Sequence, residues 1–168
     1  MWQKESRIFR QSLGLDADAK PWTGRSKFQG TGLSKTSRVL DLLDCFAASK
    51  IAQHNGAQGK GFKISEVALA KLMKNQYIDV SQSLNRHAHT NAFGINHALT
   101  TSSVLYSYGL DRVLTGKEHM FLHGHPKDTF FSDMSQSVLR ELAGEGMALP
   151  SLAAVIWCLF VCKRFPQE

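Results

Sequence analysis

From Leu149 to Cys162 the chain carries no charged residue, and the rest of the fold has to accommodate that run. Pro150 suits the first position of a helix, where its missing N–H costs nothing. The run is too short for the roughly 20 residues a membrane-crossing helix needs, so the expectation is a helix buried in a core, with no membrane partner. The cover for it has to come from elsewhere in 168 residues, a length that suits one ordinary domain. Hydrophobic residues make up 43% and charged residues 20%, as in a folded protein rather than a disordered one.

The expected fold class is α+β, mainly helical with a few short central strands. Residues 1–33 read as an irregular basic segment, punctuated by Gly14, Pro21, Gly24, Gly30 and Gly32. Residues 34–76 read as helical. Ser34 can cap a helix that carries Val39, Leu42, Leu43, Phe46 and Ala47 along one side and ends near Asn55-Gly56. Ser65 opens a second helix with Val67, Leu69, Ala70, Leu72 and Met73. Residues 77–168 form the third region. Tyr77–Val80, Ala98–Ser102 and Val104–Tyr108 are expected as strands. Thr115 and Glu118 make a capping box, in which each side chain satisfies the other residue's free N–H. Gly124-His125-Pro126 stops that helix. Asp133 or Ser135 opens the next one, and Gly144 closes it.

The net charge is +6, which suits a polyanion such as DNA. Cys45, Cys158 and Cys162 form no C-x-x-C pair, and Met1 to Arg10 is too polar for a secretory leader, so an intracellular location is expected. His87-x-His89 and His123-x-His125 have the two-residue spacing that shares one face of a strand, but they fall in expected loops without further ligands, and no metal site is assigned. Gly30-Thr31-Gly32-Leu33-Ser34-Lys35-Thr36 lacks the glycine directly before the lysine that a phosphate loop requires. It reads as a basic surface loop.

Two blocks carry more information than these fragments. The first is Arg112-Val113-Leu114-Thr115-Gly116-Lys117-Glu118-His119-Met120-Phe121-Leu122-His123-Gly124-His125-Pro126. The second is Leu142-Ala143-Gly144-Glu145-Gly146-Met147-Ala148-Leu149-Pro150, with Arg140 before it. In type and spacing they resemble the two closing signature blocks of the cytosine-5 DNA methyltransferases, and the resemblance runs from about Asp79 to Phe160. It implies the recognition-region end and closing segment of a Rossmann-like methyltransferase. Gly144, Glu145, Gly146 and Met147 would then lie at the edge of an S-adenosylmethionine pocket, and Arg112 and Glu118 would be structural. Thr100, Thr101, Ser102 and Arg112 become candidates for DNA contact, since hydroxyls and arginine commonly meet phosphates.

The chain departs from that family in ways that bear on chemistry. Glu145 stands where the family has asparagine, and an ionised carboxylate accepts hydrogen bonds but donates none. His125 stands where an aromatic residue, most often phenylalanine, is usual. The family's nucleophile is a cysteine in a Pro-Cys dipeptide, which adds to a base flipped out of the duplex, and no cysteine here follows a proline. No Glu-Asn-Val segment occurs either. The resemblance therefore implies a C-terminal part that contributes DNA recognition and pocket closure, binds S-adenosylmethionine only with a complementary N-terminal half, and transfers no methyl group alone. It would work in the nucleus or another DNA-containing compartment. The alternative is a non-catalytic DNA-binding or protein-interaction module.

Overall fold

The computed structural model describes residues 2–56, 64–91, 93–129, 131 and 133–162. The architecture is mixed α+β and mostly helical, with one small antiparallel sheet. The chain divides into two compact units. One comprises Met1–His97 with Val104–Val113, and the other Ala98–Ser103 with Leu114–Glu168.

The first unit is built on α2 (Ser37–Gly56), whose residues Leu42 to Ala48 are all buried. The sequence marks one apolar stripe on this helix, yet it is enclosed on nearly every side. One side is covered by α1 (Trp2–Ser12), where the sequence suggested irregular chain. Its inward positions Trp2, Glu5, Ser6, Phe9 and Arg10 recur at helical spacing, but the two that are fully buried are Ser6 and Arg10. Arg10 is held by Asp41 at 2.5 Å and by Ser6. The two most enclosed positions of this helix are polar, so a search for buried apolar residues passes over them.

The helix α3 (Glu66–Met73) opens as expected, with Ser65 Oγ accepting the Ala68 N–H. The sheet follows in the order β1 (Tyr77–Asp79), β2 (Leu105–Ser107) and β3 (Arg112–Val113), with Ile78 opposite Tyr106 and Tyr106 opposite Val113. The expected strand over Ala98–Ser102 is not formed. Ser103 Oγ accepts the Thr100 N–H at 2.8 Å and the Ser103 N–H reaches the Thr100 carbonyl at 2.9 Å, so the segment closes into a turn. A further edge comes from the basic Gly-Thr-Gly segment. Thr31 bridges Arg112 in parallel, and the Asp111 carboxylate accepts the N–H groups of Gln29 and Gly30 at 2.8 and 3.1 Å. Gly30 and Gly32 have φ of +56° and +72°, which suits glycine. The segment is a strap on the sheet edge.

The core of this unit centres on Trp22, which is 1% exposed. Its Nε1 donates to the Tyr106 hydroxyl at 2.9 Å, its ring meets Tyr108 edge-on at 4.8 Å, and the Arg25 guanidinium lies 3.4 Å from the ring centre. Beneath it, buried Asp44 accepts the N–H groups of Trp22 and Thr23 and the Thr23 hydroxyl. Burial pushes the Asp44 carboxyl above its ordinary value, and the hydrogen bonds from Thr23 and Trp22 and the charge of Arg10 pull the other way without cancelling it. A carboxyl whose folded value is raised contributes stability that is complete below about pH 4 and is lost as pH rises through the folded value. Asp44→Asn, which mimics the protonated form, should therefore match the wild type near pH 3.5 and gain on it as pH rises toward neutrality. Thermal melts across that range check this, and a wild type that gains on the variant with rising pH would contradict it.

The second unit holds α4 (Gly116–Leu122), α5 (Gln136–Glu145) and α6 (Leu149–Val161). The capping box is present, with the Thr115 N–H donating to Glu118 Oε2 at 2.7 Å and the Glu118 N–H to Thr115 Oγ1 at 3.2 Å. Gly124, at φ +86°, ends α4 as its position suggested. Ser135 caps α5, which runs one residue past Gly144. The buried core of this unit is small: Met120, Phe131, Leu139 and Ala143, with Leu99 packed against it.

The expectation for α6 fails. The helix forms where the sequence put it, but none of its residues is buried, and Ala153 to Cys162 are exposed without a break. Taken together, Gln136–Val161 is long and apolar enough by length and composition to cross a membrane. Two facts weigh against that use. Gly146 is in extended backbone and breaks the helix, and Arg140, Glu141 and Glu145 lie in the first half. The uncharged part is α6 alone, about 20 Å long at 1.5 Å per residue, against roughly 30 Å of hydrocarbon.

Candidate cofactor-edge and nucleic-acid residues

Three glycines of the two signature blocks are points of close approach within the second unit. A Cβ on Gly116 would lie 2.5 Å from the Gln136 carbonyl oxygen and 2.7 Å from Leu139 Cβ, so α4 and α5 meet there. A Cβ on Gly124 would lie 2.6 Å from the Pro150 ring, and the Leu149 N–H donates to the His123 carbonyl at 2.8 Å. A Cβ on Gly144 would sit 2.2 Å from both the Thr100 carbonyl carbon and the Thr101 nitrogen. The last contact brings two sets of candidates together, the segment Gly144–Met147 and the hydroxyl turn Thr100–Ser102.

That shared patch has a definite electrostatic character. Thr100, Thr101 and Ser102 are exposed, with Thr100 Oγ1 within 3.1 Å of Ser103 Oγ and 3.3 Å of Ser102 Oγ. They adjoin the C-terminal end of α5, where the helix dipole is negative and Glu145 adds an exposed carboxylate. Such a neighbourhood suits a cationic or hydrogen-bonding group better than a phosphate. Gly146 caps α5 through its N–H to Leu142, and Met147 is exposed just after it. Arg112 falls in the other unit, half-buried on β3, with Nη1 donating to the Val113 carbonyl at 3.1 Å. Within the second unit the structure thus brings Thr100 and Thr101 together with Gly144.

No family model, curated protein or solved structure matches this chain.

Among the described residues, no group of three or more His, Cys, Asp or Glu side chains could hold a metal ion. His87 and His89 lie 6.0 Å apart edge to face. His89 leans on Phe46 at 4.4 Å, and burial holds its imidazole below the ordinary value. Cys45 is buried 3.5 Å from Ser6 Oγ, with its thiol pushed up by burial, an environment that keeps it inert. Cys158 on α6 and Cys162 at its C-cap are exposed, where a buried helix was expected.

One surface feature has no counterpart in the residues singled out from sequence. Phe93 is 88% exposed and Ile95 63% exposed, on a loop of the first unit. The sequence signal was Asn91 followed by Gly94, residues that favour tight turns and left-handed backbone. It marks the loop without saying that its aromatic ring faces water.

Proposed function

We propose that this chain is the closing, C-terminal part of a DNA (cytosine-5) methyltransferase, contributing DNA contact and closure of a donor pocket. The reading rests on the signature residues named above, and the observation that carries it furthest is the state of α6. Among its described residues the second unit exposes Leu142, Met147, Val155, Ile156, Trp157, Leu159, Phe160 and Val161 while burying a handful of large side chains. Each such side chain is worth about 1.5–3 kcal/mol when removed from water. A helix apolar on all sides belongs inside something larger, and a donor-binding half carrying the Pro-Cys block is the companion the resemblance implies. In that assembly the α5 end, Gly144 to Met147, would face the cationic methyl donor.

The test has two parts. The purified chain should bind duplex DNA with affinity falling about tenfold or more between 50 and 200 mM salt, as a handful of phosphate contacts dictates. It should transfer no labelled methyl group from S-adenosylmethionine. Transfer to cytosine C5 in a preparation free of host enzymes would overturn the incomplete-enzyme reading. No binding at low salt would remove DNA as partner. A second reading, a DNA-binding module without a cofactor, draws support from Glu145, which cannot donate as asparagine does. It predicts that adding a donor-binding half leaves S-adenosylmethionine affinity unchanged.

A further inference from the structure

The Arg25 side chain is 17% exposed, yet its guanidinium makes no hydrogen bond among the described residues. It lies 3.4 Å from the centre of the Trp22 ring, its Nε is buried without a partner, and its Nη2 stands 4.0 Å from Asp111 Oδ2. That separation makes an ion pair but is too long for a hydrogen bond. The Asp111 carboxylate is already occupied, since it accepts the Gln29 and Gly30 N–H groups and the Tyr106 hydroxyl. The planar fork of N–H donors that matches a carboxylate is thus held by stacking, with its hydrogen bonds unmade. Arg25 also lines a groove of about 380 Å³ in the first unit. Its walls are mostly apolar, with Leu15, Pro21, Ile51 and Leu69 among them, the last two buried. The other charged residues along it are Lys20 and Glu66, both exposed.

We propose that this groove binds a free apolar carboxylic acid of the size of a medium-chain fatty acid, its carboxylate on Arg25 and Lys20 and its chain along Leu15, Ile51 and Leu69. Sites for small ligands span about 300–1,000 Å³ and are mostly apolar with a few placed polar groups, as this groove is. Arg25 and Lys20 against Glu66 leave a positive excess that suits a monoanion. A phosphate head carries more charge and more acceptors than one guanidinium and one ammonium can satisfy, with Glu66 on the same groove. An amine head would meet Arg25 and Lys20 as like charges. Because Arg25 is already fixed against Trp22, little of its freedom is lost when a ligand docks. The proposal does not depend on the DNA reading above.

The experiment titrates octanoate into the full chain by calorimetry, as wild type, Lys20→Met and Arg25→Lys, with hexanoate, acetate and octylamine as comparison ligands and melting curves alongside. Octanoate should bind the wild type at a single saturable site and raise its melting temperature. Hexanoate should bind about four- to fifteen-fold more weakly for its missing methylenes. Acetate and octylamine should give no binding heat at the same concentrations. Lys20 is exposed, so Lys20→Met should melt with the wild type and bind octanoate about two- to fivefold more weakly. Arg25→Lys keeps the charge but loses the fork, and should bind about tenfold or more weakly. Absence of saturable octanoate binding to the wild type overturns the proposal. So does octylamine binding as well as octanoate, which would make the groove an apolar surface indifferent to charge. Octanoate affinity unchanged in either variant overturns it too, by placing the ligand elsewhere, such as on the exposed α6. If Arg25→Lys melts below the wild type, Lys20→Met and the comparison of octanoate with octylamine still decide.

Discussion

Trp22→Ala should destabilise the first unit by about 3–5 kcal/mol, the range for emptying a buried aromatic site. The ring is sealed from solvent between Tyr108 on one edge and the Arg25 guanidinium over its face. Its loss leaves a void that neither neighbour can fill without moving. It also removes the Nε1 donor from the Tyr106 hydroxyl, whose proton is already directed at Asp111. Against a total stability of about 5–15 kcal/mol for an ordinary domain, little would remain. Trp22→Phe separates the two losses, since it keeps an aromatic ring but not the donor, and should cost less. Urea denaturation followed by far-UV circular dichroism measures both. A Trp22→Ala protein within about 1 kcal/mol of the wild type would mean this cluster is not the centre of the core.

Gly144→Ala should be the most damaging single methyl in the second unit. The added carbon would meet main-chain atoms of Thr100 and Thr101 at 2.2 Å, and a backbone already folded into a hydrogen-bonded turn cannot move aside as a side chain can. Overpacking typically costs about 1–3 kcal/mol, and this site belongs at or beyond the upper end. Gly146→Ala is the control, because its nearest neighbour would be the Leu142 carbonyl oxygen at 3.1 Å. The pair also divides the candidate cofactor segment. If glycine at 144 serves packing alone, the alanine variant loses thermal stability before any ligand is present. Hydrogen exchange at the Thr100–Ser103 turn and a melting curve read that out, and equal melting of the two variants would dismiss the steric account.

Capping chemistry made several elements legible in the sequence. Thr115 with Glu118, Ser65, Ser135 and Pro150 each mark a helix start that the structure bears out. The first helix was missed because its fully buried positions are Ser6 and Arg10, residue types that sequence reading places in water. β3 is two residues long, too short to leave an alternating pattern in the sequence. Thr100 to Ser102 have the β-branched and hydroxylic look of a strand, yet the Ser103 hydroxyl takes the Thr100 N–H and the ladder never forms. Hydrophobic pattern alone cannot tell a helix that is covered from one that awaits cover, so the expectation of a buried α6 failed while its boundaries held. The candidate residues were identified one at a time, and sequence spacing carries no information on which of them share a patch. Gly144 meeting Thr100 is a property of the three-dimensional path.

That path is also a constraint on how the chain can be divided. It leaves the first unit after His97, returns at Val104, and leaves again after Val113. The short excursion Ala98–Ser103 delivers to the second unit the turn against which Gly144 is fitted. No single cut therefore yields both units whole. A fragment beginning at Leu114 lacks its own Thr100–Thr101 surface, and one ending at Val113 carries six residues that belong to the other body. The two parts are interleaved along the chain, and are inherited, expressed and truncated together.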